Sequence, residues 1–252
     1  MAITKEISDI IYIHRNQPAI IDCFGPSGNK NRNYINSLQK SKRIIRFSCN
    51  DWWRHLPSSP PPNYWVLASS VDRIDTYQSQ INRYKIPVLY AYSIDHSHKN
   101  IINSLDCEFI LGYDQKHQDG NPNGDWCCSN GCKNNVVLGK LTIQQELKKI
   151  CNIDEQYGSG DSVVFHMIAF AILMGCNPIY LNGVDLDYKK GYANNNIKPH
   201  TDNLWQECAD RQKDNFSILL KSAHTLGSNI YNLNSNAWYG IFNTGTLKNI
   251  NN

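Results

Sequence analysis

Short runs of branched and aromatic residues recur along the chain at Ala19–Phe24, Ile44–Phe47, Tyr64–Leu67, Val88–Tyr92, Glu108–Leu111, Ile179–Leu181 and Ile230–Leu233. Runs of this length and make-up predict strands. Between them the apolar positions change to helical spacing. Val71–Arg83 sets Ile74, Tyr77 and Ile81 on one side, and Thr142–Cys151, Asp161–Met174 and Asn203–Leu226 have the same period. Alternating strand and helix predicts a single α/β domain over residues 1–252, with a mostly parallel sheet flanked by helices. In such a sheet ligands gather at the carboxyl ends of the strands, so the residues that carry chemistry are expected just after them.

Asp161–Met174 is apolar almost throughout, and its longest apolar stretch, Val163–Gly175, is broken by His166. It falls short of the roughly 20 residues needed to span a bilayer and reads as a core helix. Pro57–Asn63, with four prolines, can be neither helix nor central strand and reads as a surface loop. Gly112–Asn135 is rich in Asn, Gly and Asp and reads as a lid-like insertion. Residues 189–202 read as a flexible loop, and Leu247–Asn252 as a frayed end.

Charge narrows the function by exclusion. The chain has 25 Lys and Arg against 22 Asp and Glu, a net charge of +3. That balance leaves no basic face large enough for charge-driven binding to nucleic acid or membrane, so function is expected in a specific pocket. Nine cysteines without the spacing of a small disulfide scaffold predict free thiols in a reducing compartment, and the charged residues among the first 15 leave no signal-peptide core. Both point to the cytoplasm. The 31 asparagines mean that much of the polarity is neutral amide.

Four segments could carry chemistry. Gly25-Pro26-Ser27-Gly28 follows the first strand, where backbone amides can cradle a phosphate; a plain Gly/Pro turn accounts for it equally well. It is not a Walker A loop, having no Lys-Ser/Thr pair at the required distance. Asn50 ends the next strand, as a ligand contact or as the start of an Asx turn. Ser159, in Gly158-Ser159-Gly160, is a natural N-cap of the apolar helix and stands at an anion-binding helix start. After Ile179–Leu181 comes Asn182-Gly183-Val184-Asp185-Leu186-Asp187-Tyr188, in which Asp185 and Asp187 invite a reading as a divalent-cation pair.

In this order the Gly25-Pro26-Ser27 turn, Arg46-Phe47-Ser48-Cys49-Asn50, Gly158-Ser159-Gly160 and Ile179-Tyr180-Leu181-Asn182-Gly183-Val184-Asp185 resemble one known group. It comprises the bacterial CMP-sialic-acid-dependent sialyltransferases, with the related domains of motility-associated flagellin glycosyltransferases and archaeal 6-hydroxymethylpterin diphosphokinases. The resemblance covers roughly residues 20–51 and 158–239. It implies a Rossmann-like domain with a small lid, and transfer of a nonulosonic acid such as sialic acid from a CMP-activated donor to a glycan or glycoconjugate hydroxyl. It also implies catalysis without a metal or other cofactor. Tyr188 and Tyr192 match the tyrosines that hold the leaving phosphate, and His200 matches the general base. Gly25, Pro26, Ser27, Asn50, Ser159, Gly160, Asn182, Gly183 and Asp185 match the nucleotide-binding positions. A glycoconjugate acceptor leaves room for peripheral association with a membrane.

The chain departs from the sialyltransferase pattern at two places. Phe24 stands where those enzymes have an asparagine before Gly-Pro-Ser, and a phenyl ring donates no hydrogen bond; Ala68-Ser69-Ser70 stands where they have another. Two alternatives follow. In the diphosphokinase-like reading Asp185 and Asp187 would hold magnesium for transfer from ATP. In the other, the chain is a catalytically inactive nucleotide-binding module. Separately, Cys127, Cys128 and Cys132 with His117 form the one cysteine cluster dense enough to suggest zinc, though without the usual CxxC pairing.

Overall fold

A computed structural model describes residues 2–67, 73–90, 99–112, 163–185, 187, 190–194, 196–197, 213–234 and 240–251. Among them nine strands form one sheet: β1 (Ile3–Lys5), β2 (Ala19–Asp22), β3 (Ile45–Cys49), β4 (Tyr64–Leu67), β5 (Val88–Tyr90), β6 (Phe109–Gly112), β7 (Ile179–Asn182), β8 (Ile230–Asn232) and β9 (Asn243–Thr244). Their order is β1-β6-β5-β4-β3-β2-β7-β8-β9, and every pairing is parallel. Strands β2 to β6 proceed in one direction and β7 to β9 in the other. The order therefore reverses between β2 and β7, where the register sets Asp22 opposite Asn182. A crevice at the carboxyl ends of strands is expected at such a reversal.

The helices are α1 (Arg32–Lys40), α2 (Trp52–His55), α3 (Arg73–Tyr84), α4 (Lys99–Ser104), α5 (Val163–Leu173) and α6 (Lys213–Thr225). Alternation along the strands divides their side chains between two faces. Ala19, Ile21, Phe47, Val66, Leu89, Leu111 and Leu181 join one core with α5 and with Phe216, Leu219 and Ala223 of α6. On the opposite face Ile20 and Tyr180 pack with Ile35 and Leu38 of α1, while Trp65, Val88 and Ile110 pack with Ile74, Tyr77 and Ile81 of α3. Helices thus cover both faces, as parallel strands buried on both sides require.

From Val164 to Leu173 every residue of α5 is buried, which is where a helix apolar on all sides has to lie. Its C-terminal carbonyls are met from outside: the amides of Tyr12, His14 and Asn16 donate to Leu173, Met174 and Gly175 at 2.8–2.9 Å. No helix of the described residues is long and apolar enough to cross a membrane.

Several expectations shift. β1, β9, α1, α2 and α4 lie outside the elements the pattern predicts, because each is short or carries few apolar residues. The chain end is not frayed as expected: Leu247–Asn251 forms a 3-10 helix, and Leu247 is buried beside α1. The proline loop is more than a surface connection. Asn63 Oδ1 accepts the Arg46 amide at 2.9 Å and the Pro60 carbonyl accepts Arg46 Nη1 at 3.2 Å, so the loop clamps a buried arginine. Thr142–Cys151, the zinc candidates and the lid beyond Gly112 lie outside the described residues.

Candidate functional site

The site is built on a buried charge. Asp22, the last residue of β2, is wholly out of solvent in an otherwise apolar strand, so it has to be matched. Arg32 Nη1 from α1 donates to its Oδ1 at 2.5 Å, and Arg46 Nη2 from β3 faces its Oδ2 as an ion pair. Asn182 Nδ2, across the β2/β7 seam, donates to Oδ1 at 2.9 Å, and Asn31 Nδ2 donates to Asn182 Oδ1 at 3.2 Å. Burial pulls the Arg46 guanidinium below its ordinary proton affinity and Asp22 opposes that pull. Arg46 Nη1 also donates to Gln39 Oε1 at 3.0 Å and Asn36 Oδ1 at 3.3 Å. This network ties the carboxyl ends of β2 and β7 to α1 and to Arg46 near the start of β3, and the side chain of Asn182 is wholly buried in it.

Beyond the strands, β2 and β7 stay zipped: Cys23 N donates to Asn182 O and Gly25 N to Gly183 O, both at 2.8 Å. Gly183 has φ +65°, and a Cβ there would stand 2.6 Å from Cys23 O, so both torsion and space demand glycine. Gly25 has φ −66°, open to any residue, but a Cβ would lie 2.6 Å from both Gly183 O and Asp185 Oδ2. Space alone dictates that glycine. Gly25→Ala is expected to cost about 1–3 kcal/mol by overpacking against backbone, read as a lower denaturant midpoint at unchanged m-value.

The turn after Gly25 is already occupied by an anion from within the chain. Asp185 Oδ2 accepts the Ser27 amide at 2.9 Å, its Oδ1 accepts the Ser27 hydroxyl, and Asn234 Nδ2 donates to Oδ1 at 2.8 Å. A carboxylate is favourable at the start of the 3-10 helix Pro26–Asn31, where amides are unpaired. Asp187 meets the ammonium of Lys190 at 2.8 Å. The two carboxylates thus have different hydrogen-bond and ion-pair partners, Asp185 meeting Ser27 and Asn234 and Asp187 meeting Lys190.

Asn50, one residue past β3, has φ +36°. Its amide donates to Val66 O at 3.1 Å and its carbonyl accepts Trp65 Nε1 at 3.0 Å. Its Oδ1 is out of solvent and has no hydrogen-bond partner among the described residues, so the side chain does not close an Asx turn there. Next comes α2, anchored by Trp52 against Tyr84 at 4.7 Å and edge-on to Trp65 at 6.4 Å. This anchoring places His55, the last residue of α2, against Phe24: the rings are parallel within 2° and their centroids are 4.2 Å apart. Tyr192 packs on the same imidazole at 4.9 Å.

Of the loop expected at 189–202, residues 190–194 and 196–197 are described, and residues 193 and 194 are tied to the rest of the site. Ala193 N donates to Phe24 O at 2.6 Å, Asn29 Nδ2 to Ala193 O at 3.1 Å, and Asn194 Nδ2 to Arg54 O at 2.7 Å. Burial raises the Tyr192 phenol above its ordinary value and lowers the His55 imidazole to about 4, with Asp51 opposing the fall. Near pH 7 Tyr192 is a neutral phenol and His55 a neutral imidazole. The structure thus gathers Gly25, Pro26, Ser27, Asn50, Asn182, Gly183, Asp185 and Tyr192 at one edge of the sheet. Ser159, Gly160, Tyr188 and His200 lie outside the described residues. Asp22 and Arg32 are absent from the motif reading, and Arg46 enters it as part of the Arg46–Asn50 strand end without a role, although an aspartate inside Ala19–Phe24 is itself the signal of a buried partner.

Neither a protein-family model nor a curated protein sequence matches the chain. Solved structures do. An alpha-2,3-sialyltransferase from Campylobacter jejuni in apo form aligns over 96% of this chain and 84% of its own, with 20% identity and a TM-score of 0.53. The sialyltransferase CST-II, solved with a trisaccharide acceptor and CMP, aligns over 93% and 88%, with 19% identity and a TM-score of 0.53. The MAf glycosyltransferase from Magnetospirillum magneticum AMB-1 aligns over 95% of this chain and 35% of its own, with 14% identity and a TM-score of 0.55. The all-parallel sheet, with its strand order reversing between β2 and β7, is thus a fold shared with these sialyltransferase and glycosyltransferase structures.

Proposed function

We propose that the protein is a glycosyltransferase that moves a nonulosonic acid such as sialic acid from a CMP-activated donor to a hydroxyl of a glycan or glycoconjugate. The observation that carries this reading is the pair of neutral groups at the β2/β7 reversal: the Tyr192 phenol, held beside Phe24 and α2 as a donor for the phosphate, and Asn50, whose Oδ1 has no hydrogen-bond partner among the described residues and can accept from a nucleoside hydroxyl or amino group. A fold in which CST-II was solved with CMP supports the choice of nucleotide. Loss of CMP from a tertiary anomeric carbon leaves negative charge on the phosphate, and donors already oriented in a partly buried site stabilise that charge without reorganising. Tyr192 and Tyr188 are assigned to that phosphate, Ser159 and Gly160 to the nucleotide through backbone amides, and His200 to the acceptor proton. Asp185 and Asn182 are assigned to shaping the site.

Asp185 already caps the Ser27 turn, so the phosphate is assigned to the side of Tyr192. The separate engagement of Asp185 and Asp187 favours a reaction without magnesium over diphosphate transfer from ATP. Buried free thiols at Cys23, Cys49, Cys107 and Cys176 are consistent with work in the cytoplasm.

The test is a thermal-shift panel of CMP, CDP, UDP, GDP and ATP, each with and without magnesium, followed by an assay of CMP release from CMP-sialic acid. Stabilisation by CMP without magnesium is expected, about 2.7 kcal/mol at a hundredfold excess over Kd. Stabilisation by ATP alone, and only with magnesium, would reject the reading. CMP binding without turnover would leave the inactive module.

A further inference from the structure

We infer that His55 is a hydrogen-bond donor to the phosphate of the bound nucleotide, supplying from α2 a contact that position 24 does not make in this chain. The inference rests on the nucleotide reading above and names a residue that reading does not use.

Three observations converge on it. First, the Gly25 turn offers the phosphate no free side-chain donor: the Phe24 ring carries none, and both the amide and the hydroxyl of Ser27 are bound to Asp185. Second, the imidazole is held in a fixed orientation. Phe24 lies parallel to it at 4.2 Å and Tyr192 packs on it at 4.9 Å, while the anchored Trp52 fixes the helix beneath. Phe24 therefore has a positive use, as the platform for the ring that replaces its missing donor. Third, the ring is not satisfied: Nδ1 is out of solvent and has no hydrogen-bond partner among the described residues. A neutral imidazole carries one N–H and one lone pair, and leaving either unpaired in a buried place is costly unless a ligand meets it.

The competing account is that His55 is only a flat ring filling space against Phe24 and Tyr192. The two accounts separate on one substitution. His55→Phe keeps a stacked aromatic and removes both nitrogens, so the packing account expects unchanged or higher stability and unchanged ligand binding. The experiment measures CMP and cytidine affinity by calorimetry at pH 7.5 for the wild type, His55→Phe and His55→Gln.

A hydrogen bond to a charged group is worth enough that His55→Phe is expected to weaken CMP by about tenfold or more, with cytidine unchanged. His55→Gln, which restores an N–H, is expected to recover part of the loss. CMP bound as tightly by His55→Phe as by the wild type overturns the inference and leaves the nucleotide reading standing. Equal losses for CMP and cytidine overturn it too, since the effect would then not be on the phosphate. A folded wild type that binds no CMP overturns the nucleotide reading and this inference with it.

Discussion

Asp22→Ala is expected to lower the thermal midpoint by on the order of 10 °C, the largest stability loss of any single substitution considered. Among the described residues the carboxylate is the only acid paired with Arg46, which is wholly buried, and with Arg32, whose side chain is 12% exposed. Removing it leaves guanidinium charge in a low-dielectric interior, where breaking a buried pair costs about 3–5 kcal/mol. Asn182 Nδ2 also loses its acceptor. For a chain of this size each kcal/mol moves the midpoint by about 2–4 °C. Asp22→Asn is expected to lose less, because an amide oxygen still accepts from Arg32 and Asn182. A calorimetric scan of the three proteins is the measurement. A shift below about 2 °C for Asp22→Ala would mean that water or the proline loop compensates Arg46, and that the network is not what fixes the site.

The largest effect on activity is expected at His200. Under the proposed reaction the acceptor hydroxyl must lose its proton as the carbon–oxygen bond forms, and a positioned base contributes about 10²–10⁴-fold to such a step. An imidazole titrates close enough to neutral pH to take the proton without special tuning. His200→Ala should reduce kcat for transfer by that factor. CMP affinity should stay within about twofold, because the base meets the acceptor and not the nucleotide. Stopped assays of CMP release with and without acceptor read the first quantity and calorimetry the second. Transfer at the wild-type rate would remove His200 from the mechanism, and a matching loss of CMP affinity would move it to the nucleotide.

What the chain discloses before folding is uneven, and the reasons are physical. The inner strands were legible because parallel strands buried on both faces are continuous apolar runs, and Ile179–Leu181 or Tyr64–Leu67 can be little else. That Gly25, Asn50, Asn182 and Gly183 share the carboxyl ends of the strands was legible for the same reason: they follow those runs directly. β1 was not, because Ile3 is exposed and the strand is only three residues long. Nor was α1, with few apolar residues among its nine. The partner of Ser27 was harder still. Asp185 is remote in sequence, and a carboxylate after a strand looks alike whether it binds a cation or caps a turn in its own chain. His55 carries no motif, and only its stack on Phe24 gives it a role.

The seam between β2 and β7 also bears on how the protein is made. Its partners are separated by 160 positions, as Asp22 and Asn182 show. During synthesis the wing from β2 to β6 emerges long before Ile179–Asn182 exists to pair with it. Until then β2, destined for the middle of the sheet, has an open apolar edge, and unpaired edges of that kind invite association with other chains. The ion pair between Asp22 and Arg46 lies wholly within the early wing, so its charge is matched before the seam closes. The sheet face that α5 covers, with Ile21, Phe47, Val66, Leu89 and Leu111, is uncovered over the same interval, so the late segment supplies both the seam and the lid of that core.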